Sequence, residues 1–437
     1  MVASPPAHTL RLRAPTAALL SLPWELPLKA WSAEGVRFVD LPVGPSRHLV
    51  RFAVVEGAVL ALKELPGHPA RREYEALRQL EARDVPAVRA VGLAERTADD
   101  AAILVTRYLA RSFQFRRLFM RLPEGTWRHR ERLLDALANL LVELHRKGVF
   151  WGDGSLANTL LVRDGQVLQA HLVDAETTEV HAQLSDGQRA FDLEVAVENV
   201  AGDLADLAGL AGRALHQMDE ELAAAASVAE RYRRLWDELH RAEPLAREER
   251  YLVEARLRRL NELGFVVDEI QLTPTDNGGD RVQLKVGVGG RRFHAARLRR
   301  VTGLEGHEGQ ATILLNDLAA WQSTLPREEA EVDAGAAGRR WRAEVFEPTV
   351  RRLREVLGPG IDPVQTYCDL LEVRWLLSER AGRDVGDEVA LAALRERAAP
   401  ADSAAGMALA EAPTGLYSVR ELMDGGDPAG AVVPPED

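Results

Sequence analysis

Cysteine is almost missing from this chain: Cys368 is the only one among 437 residues. A lone thiol excludes an internal disulfide and fits a reducing compartment, so a cytoplasmic location is expected. Lysine is nearly as scarce. Of 55 basic residues only Lys29, Lys63, Lys147 and Lys285 are lysines, and the remaining 51 are arginines. Each lysine is therefore an unusual choice of cation. Long apolar runs are absent too. Nothing approaches the ~20 residues that cross a bilayer, so no membrane span is expected. "TAALLSL" is too short for a signal-peptide core, and Pro23 and charges follow it. Positive charge is in deficit at a formal −12, which excludes a generic electrostatic grip on nucleic acid. Aromatics are few, at 5%. The basic stretch "RRFHAARLRR" at 291–300 and the arginine-rich helices near 339–354 therefore read as solvated faces. There is no G-x-S-x-G, no credible triad and no internal repeat. His145, His171 and His181 show no metal-ligand spacing with Cys or Glu.

At this length two domains are expected. Residues 35–63 read as three strands, "GVRFVDL", "HLVRFAVVEG" and "AVLALKEL", with Gly57 in the second turn. "GHPARREYEALRQLEARDVP" follows as a helix closed by Pro86. "AVRAVGLAE" and "AAILVTRYL" add two strands, the second almost wholly apolar and so interior. This gives a five-strand sheet with one helix between its third and fourth strands. Residues 126–148 form a long helix with a leucine face, ended by Lys147 and Gly148. "NTLLVRDGQVLQAHLVDAE" is a hairpin turning at Asp164-Gly165. Helices are expected from about 188, over 218–242 and over 246–263. A second hairpin follows, "FVVDEIQL" and "RVQLKVGV", and the pattern is then mostly helical to about 399. The tail 400–437, rich in Ala, Gly, Pro and acid, is expected to be disordered or lightly docked.

The first hairpin brings polar groups into apolar company. Asp153 and Asn158 lie in "FWGDGSLANTLLV" and Asp174 in "HLVDAE". A buried carboxylate is costly unless paired, hydrogen-bonded or bound to metal. Phosphoryl transfer from ATP needs a strand lysine on the phosphates, a helix glutamate holding that lysine, an aspartate orienting the attacking hydroxyl, and Asn and Asp for magnesium. The chain offers these in order: Lys63, Glu73, Asp153, Asn158 and Asp174. Glu73 shares the i, i+4, i+7 stripe of Leu77 and Leu80 and should face inward, unlike its competitor Glu75. Each residue alone has an ordinary reading as a strand end, cap or turn. The five together, with the intervening strand, helix and hairpin, are what chance does not supply.

These motifs resemble the protein-kinase-like superfamily, closest to the bacterial branch of lipopolysaccharide (Kdo) kinases and aminoglycoside-type phosphotransferases. "GDGSLANTLLV" looks like the H-G-D-x-x-x-x-N-hydrophobic loop, "LVDAE" like the metal segment and "REYEALRQLE" like the helix carrying the lysine's partner. The resemblance covers about 30–215. It implies an α+β, bilobal kinase-like fold with a five-stranded antiparallel N-lobe (30–108) and a helical C-lobe (109–215), ATP and Mg2+ in the cleft and a hinge near Thr106–Ser112. An N-terminal extension, 1–29, precedes it. Residues 216–399 would form a mostly helical domain containing the second hairpin. "RLNELGF", "WRAEVFEP" and "RWLLSERAGRDVG" resemble an uncharacterised domain fused to such kinases.

The chain also departs from that pattern. Trp151 replaces the loop histidine, and Ser155 stands where common protein kinases carry a lysine. No G-x-G-x-x-G covers the phosphates. "VGPSRH" would use backbone N–H groups of Ser46, Arg47 and His48, with the arginine as a phosphate clamp, or it is simply a hairpin. Glu176 either assists a second metal or is solvated. The short span after Asp174 leaves no room for a peptide-binding activation segment. The acceptor is thus expected to be a hydroxyl on a small molecule or sugar before a peptide, with a protein acceptor still open. Two other readings stay open: a pseudokinase scaffold whose C-terminal domain binds a partner, and nucleotidyl (AMP) transfer. Sequence leaves the oligomeric state undefined.

Overall fold

The computed structural model describes residues 8–41, 47–121, 127–210, 215–246, 250–274, 281–325, 334–401 and 403–410. Helices and strands are mixed, and every strand ladder among the described residues is antiparallel.

The first sheet is built from β1 (His8–Leu12), β2 (Phe38–Val39), β3 (Leu49–Val55), β4 (Ala58–Pro66), β5 (Ala90–Arg96) and β6 (Ala101–Arg107), in the order β1-β5-β6-β4-β3-β2. It has six strands where five were expected. The sixth comes from the N-terminal extension, outside the expected 30–108. β1 pairs along β5 from His8↔Arg96 to Leu12↔Gly92 and closes what would be an open sheet edge. Gly92 permits this approach, because a Cβ there would lie 2.8 Å from the Arg11 carbonyl oxygen. The rest of the extension covers one sheet face. Trp24 and Trp31 meet edge-on at 5.1 Å and pack with Leu19 and Leu28 against Leu60, Leu62 and Ile103. Each indole donates to a backbone carbonyl, of Leu19 and of Leu26, so the large rings are buried without an unmatched N–H.

The opposite face takes α2 (Gly67–Ala82), which buries Glu73, Leu77 and Leu80. Alternation along β4 puts Leu60 and Leu62 on the extension side and Lys63 on the α2 side. Then come β7 (Ser112–Gln114), α3 (Phe115–Arg121), α4 (Trp127–Arg146), β8 (Val149–Phe150), the hairpin β9 (Thr159–Asp164) and β10 (Val167–Leu172), β11 (Glu179–Val180), α5 (Asp186–Leu210) and α6 (Leu215–His240). β7 joins the hairpin sheet beside β9, and β11 pairs with β8. Leucines of α4 share one continuous core with α2, the hairpin, α5 and α6.

A three-stranded sheet follows: β12 (Glu243–Ala246), β13 (Phe265–Pro274) and β14 (Arg281–Arg291), with α7 (Arg250–Glu262) inserted. It extends the expected hairpin by one strand. Helices α8 (Phe293–Thr302), α9 (Glu308–Ser323) and those at 334–341, 347–357, 363–381 and 386–395 pack a separate core around Leu314, Trp341, Tyr367 and Val373. This region grips the Asp164-Gly165 turn. Gln365 takes the Gly165 N–H at 2.9 Å and donates to the Gly165 carbonyl at 3.0 Å. The Gln310 N–H donates to Asp164 at 2.8 Å, and Arg163 pairs with Asp369 in a two-pronged contact. Within the tail, Ala404–Ala410 forms a short docked helix. Its first N–H donates to Glu372 at 2.8 Å, and Met407 is buried. Residues 411–437 lie outside the described residues.

Candidate active site

Lys63 stands in mid-strand, opposite Val50 on β3 and Leu104 on β6. Its Nζ lies 2.9 Å from Glu73 Oε2 and 2.8 Å from Asp174 Oδ2. Glu73 was read inward and is buried at 2% exposure, whereas Glu75 is exposed and pairs with Arg78. Asp174 arrives from the far end of β10, 111 residues along the chain. Burial alone would lower the lysine's pKa, but the two carboxylates outweigh it and the pKa rises. Glu73 pays for the sharing. Burial first, then repulsion from Asp174, pushes its pKa up to about 7 against the pull of Lys63.

A second cluster sits beside the first. Asp153 Oδ2 accepts from Asn158 Nδ2 at 3.0 Å, and Asp153 Oδ1 accepts from Asn199 Nδ2 at 3.0 Å. Partial burial raises the pKa of Asp153 and so does Asp174, whereas both amides and Arg47 draw it down. Arg47 therefore stands within electrostatic reach of Asp153. His48 Nε2 lies 3.6 Å from Glu176 Oε2, and the Glu176 N–H donates to Asp174 at 3.1 Å. Ser46, the third residue of the candidate phosphate cover, lies outside the described residues.

The loop carrying Asp153 is held by a helix that sequence reasoning passed over. Asp192 of α5 accepts the backbone N–H groups of Trp151 and Gly152 at 2.7 and 2.8 Å, and His145 closes on it at 3.0 Å. Asp203 accepts the Leu156 N–H at 2.9 Å. Trp151 cannot hold the loop through its ring as a histidine would. Its own backbone is held instead, by Asp192 through the N–H and by Thr177 through the carbonyl at 2.9 Å. Gly152 adopts φ +79°, and a Cβ there would press on the Thr177 carbonyl at 3.1 Å. Asp192, Asn199 and Asp203 recur at spacings of seven and four, which is one helix face. That spacing was the available signal.

The donor set suits a hard divalent cation. Glu73, Asp153, Asp174 and Glu176 outnumber Lys63 and Arg47, and Asn158 spends its Nδ2 on Asp153, leaving Oδ1 as an oxygen ligand. Among the described residues no group of three or more His, Cys, Asp or Glu is placed to hold a metal ion by itself. Magnesium characteristically takes one or two protein oxygens and completes its shell from phosphate and water. Asp174 and Asn158 fit that role.

Two family models match the chain. Residues 58–195 match the lipopolysaccharide kinase (Kdo/WaaP) family, and residues 234–397 match a domain of unknown function, DUF4032. The kinase-like resemblance is therefore to the Kdo kinase branch, and the fused C-terminal region is similar to the uncharacterised domain. A solved structure, "WaaP in complex with acyl carrier protein", is 22% identical over 52% of this chain and 99% of that chain, with a TM-score of 0.33. No curated protein sequence matches the chain.

Proposed function

We propose that this chain is an ATP- and magnesium-dependent phosphotransferase acting on a hydroxyl group, with a small molecule or sugar as acceptor before an ordinary peptide. The observation that carries this reading is the meeting of Lys63, Glu73 and Asp174 within 2.9 Å across 111 residues of chain. Such a triad has little structural reason to exist, because one ammonium facing two carboxylates leaves charge unmatched in a half-buried site.

In this reading the first sheet with α2 and the helical region beyond Tyr108 are the two lobes of a kinase-like unit, and β1 belongs to the first. Lys63 holds the α- and β-phosphates and Glu73 keeps the ammonium extended toward them. Asp174 and Asn158 hold magnesium, with Glu176 beside them. The metal, when bound, neutralises charge on the phosphate oxygens. Asp153 accepts the hydroxyl proton of the acceptor as its oxygen attacks the γ-phosphorus in line. Asn158 and Asn199 fix both carboxylate oxygens, so one lone pair is aimed before the acceptor arrives. Arg47 and His48 close over the phosphates. The short path from Asp174 to α5, pinned by β11 against β8, supports a compact acceptor. Among the described residues no helix is long and apolar enough to cross a membrane, and a cytoplasmic site of action, where ATP is supplied, completes the proposal.

Incubation with magnesium and γ-labelled ATP should transfer label to water, to the protein or to an added acceptor, and Asp153→Ala and Asp174→Ala should abolish it. Label arriving only from the α-position would make the chain a nucleotidyl transferase. A thermal midpoint indifferent to ATP and magnesium would make it an empty scaffold.

A further inference from the structure

A cavity of about 520 Å3 lies between α4, the loop Asp84–Arg89 that follows α2, the Arg107–Leu109 segment after β6, the β10 strand and the C-terminal region at Phe265 and His307. None of Lys63, Glu73, Asp153, Asn158 or Asp174 lines it. Its size is that of a site for a small organic ligand. Val85, Leu140, Leu168 and Phe265 give it apolar walls.

Two observations give it a charge preference. Both ring nitrogens of His171 are buried without any hydrogen-bond partner, a costly state that calls for an explanation. Burial, aided by His307 and Arg89, lowers the His171 pKa to about 4, which also brings those two side chains within its electrostatic reach. The Arg107 side chain, on the same rim, has no hydrogen-bond or ion-pair partner among the described residues. Of the four lining acids, Asp84 lies within electrostatic reach of Lys147, and the other three are already occupied. Glu308 accepts from the His294 and Ala295 N–H groups, Asp164 from the Gln310 N–H, and Glu143 pairs with Arg146 and Lys147. Lys147, one of the four lysines, bridges α4 to the Asp84 carbonyl and closes that wall.

We propose that this cavity is a second ligand site, for an organic phosphate whose apolar body lies against Phe265 and Leu168 and whose anionic head is held by His171, Arg89 and Arg107. The uncommitted Arg107 guanidinium and that of Arg89, held only loosely by Glu81 at 3.9 Å, supply charge-assisted donors. The imidazole supplies the inner contact and gains the partner it lacks. The site is formed by both regions of the chain, so its occupant also ties them together. The inference goes beyond the phosphotransferase reading, and its test contains no ATP, so either can fail alone.

Calorimetric titration of the full chain with phenyl phosphate should show saturable one-to-one binding at millimolar concentrations or below, tighter than inorganic phosphate. Arg89 and Arg107 are exposed, so Arg89→Gln and Arg107→Gln leave the fold intact, and each should weaken binding about tenfold. His171→Leu should remove binding while raising the thermal midpoint, because two unmatched buried nitrogens disappear. Lys63→Met should leave the titration unchanged. The proposal is overturned by absence of saturable binding, by equal affinity for inorganic phosphate, or by binding that survives Arg107→Gln and His171→Leu but is lost in Lys63→Met.

Discussion

The carboxylate of Asp192 receives the backbone N–H of Trp151 at 2.7 Å, inside a core where neither residue reaches solvent. One side chain thereby fixes the entry to the loop carrying Asp153, through Trp151 and Gly152 on one side and His145 on the other. Asp192→Asn keeps the shape but presents an amide N–H to a backbone N–H. It should cost about 2 kcal/mol in urea denaturation, the penalty of a buried donor left without an acceptor. It should also lower turnover more than ATP affinity, since Lys63 stands on a different element.

The charge shared by Lys63, Glu73 and Asp174 should be visible as a pH dependence. Burial and Asp174 raise Glu73 from 4.5 in an unstructured chain to about 7 in the fold. The folded state therefore holds this proton longer than the unfolded state does. The resulting stabilisation is fully present below about pH 4.5 and is lost as pH rises to about 7. Thermal midpoints of the ligand-free protein should carry this downward contribution, and Glu73→Gln should remove it. Lys63→Met leaves two carboxylates without their ammonium, so the window should shift further upward.

Asn199 offers a test of the loop's orientation that does not touch the nucleotide. Its amide draws the Asp153 pKa down against burial. In Asn199→Ala that opposition is lost, so the acid limb of the phosphotransfer rate should move to higher pH. Turnover should fall about tenfold, as befits one positioning contact, with KM for ATP unchanged. Asn199→Asp should fare worse, since it adds a like charge against Asp153.

What could be read from the linear chain was whatever depends on near neighbours. Lys63 is marked by the scarcity of lysine and its apolar strand neighbours, and Glu73 by its own helical stripe, which aims it inward. Asp164-Gly165 announced its hairpin, and that hairpin delivered Asn158 and Asp174 to one end. The contributions missed depend on distant pairing. β1 meets β5 some eighty residues away, and nothing local distinguishes a strand that finds a sheet edge from an extended arm. α5 reads as an ordinary apolar helix, in which Asp192 is a polar interruption until the loop it serves is folded against it. The capture of the Asp164-Gly165 turn by Gln310, Gln365 and Asp369 is of the same kind, because polar groups carry no sequence signature of a distant partner.

That capture makes a last prediction about how the two regions behave as one. Gln365 spends its side chain on both the N–H and the carbonyl of Gly165, and Arg163 with Asp369 forms a mostly buried ion pair on the same turn. Replacing Asp369 by Asn strands the Arg163 guanidinium and should cost about 3 kcal/mol, whereas Arg163→Leu with Asp369→Leu together should cost far less, because no unpaired charge remains. The turn belongs to the hairpin that ends in Asp174, so loosening it reaches the Lys63 cluster. Calorimetry should change from one unfolding transition to two in Asp369→Asn and stay at one in the double variant. Two transitions in both would mean that the contact between the regions, and not the buried charge, is what couples them.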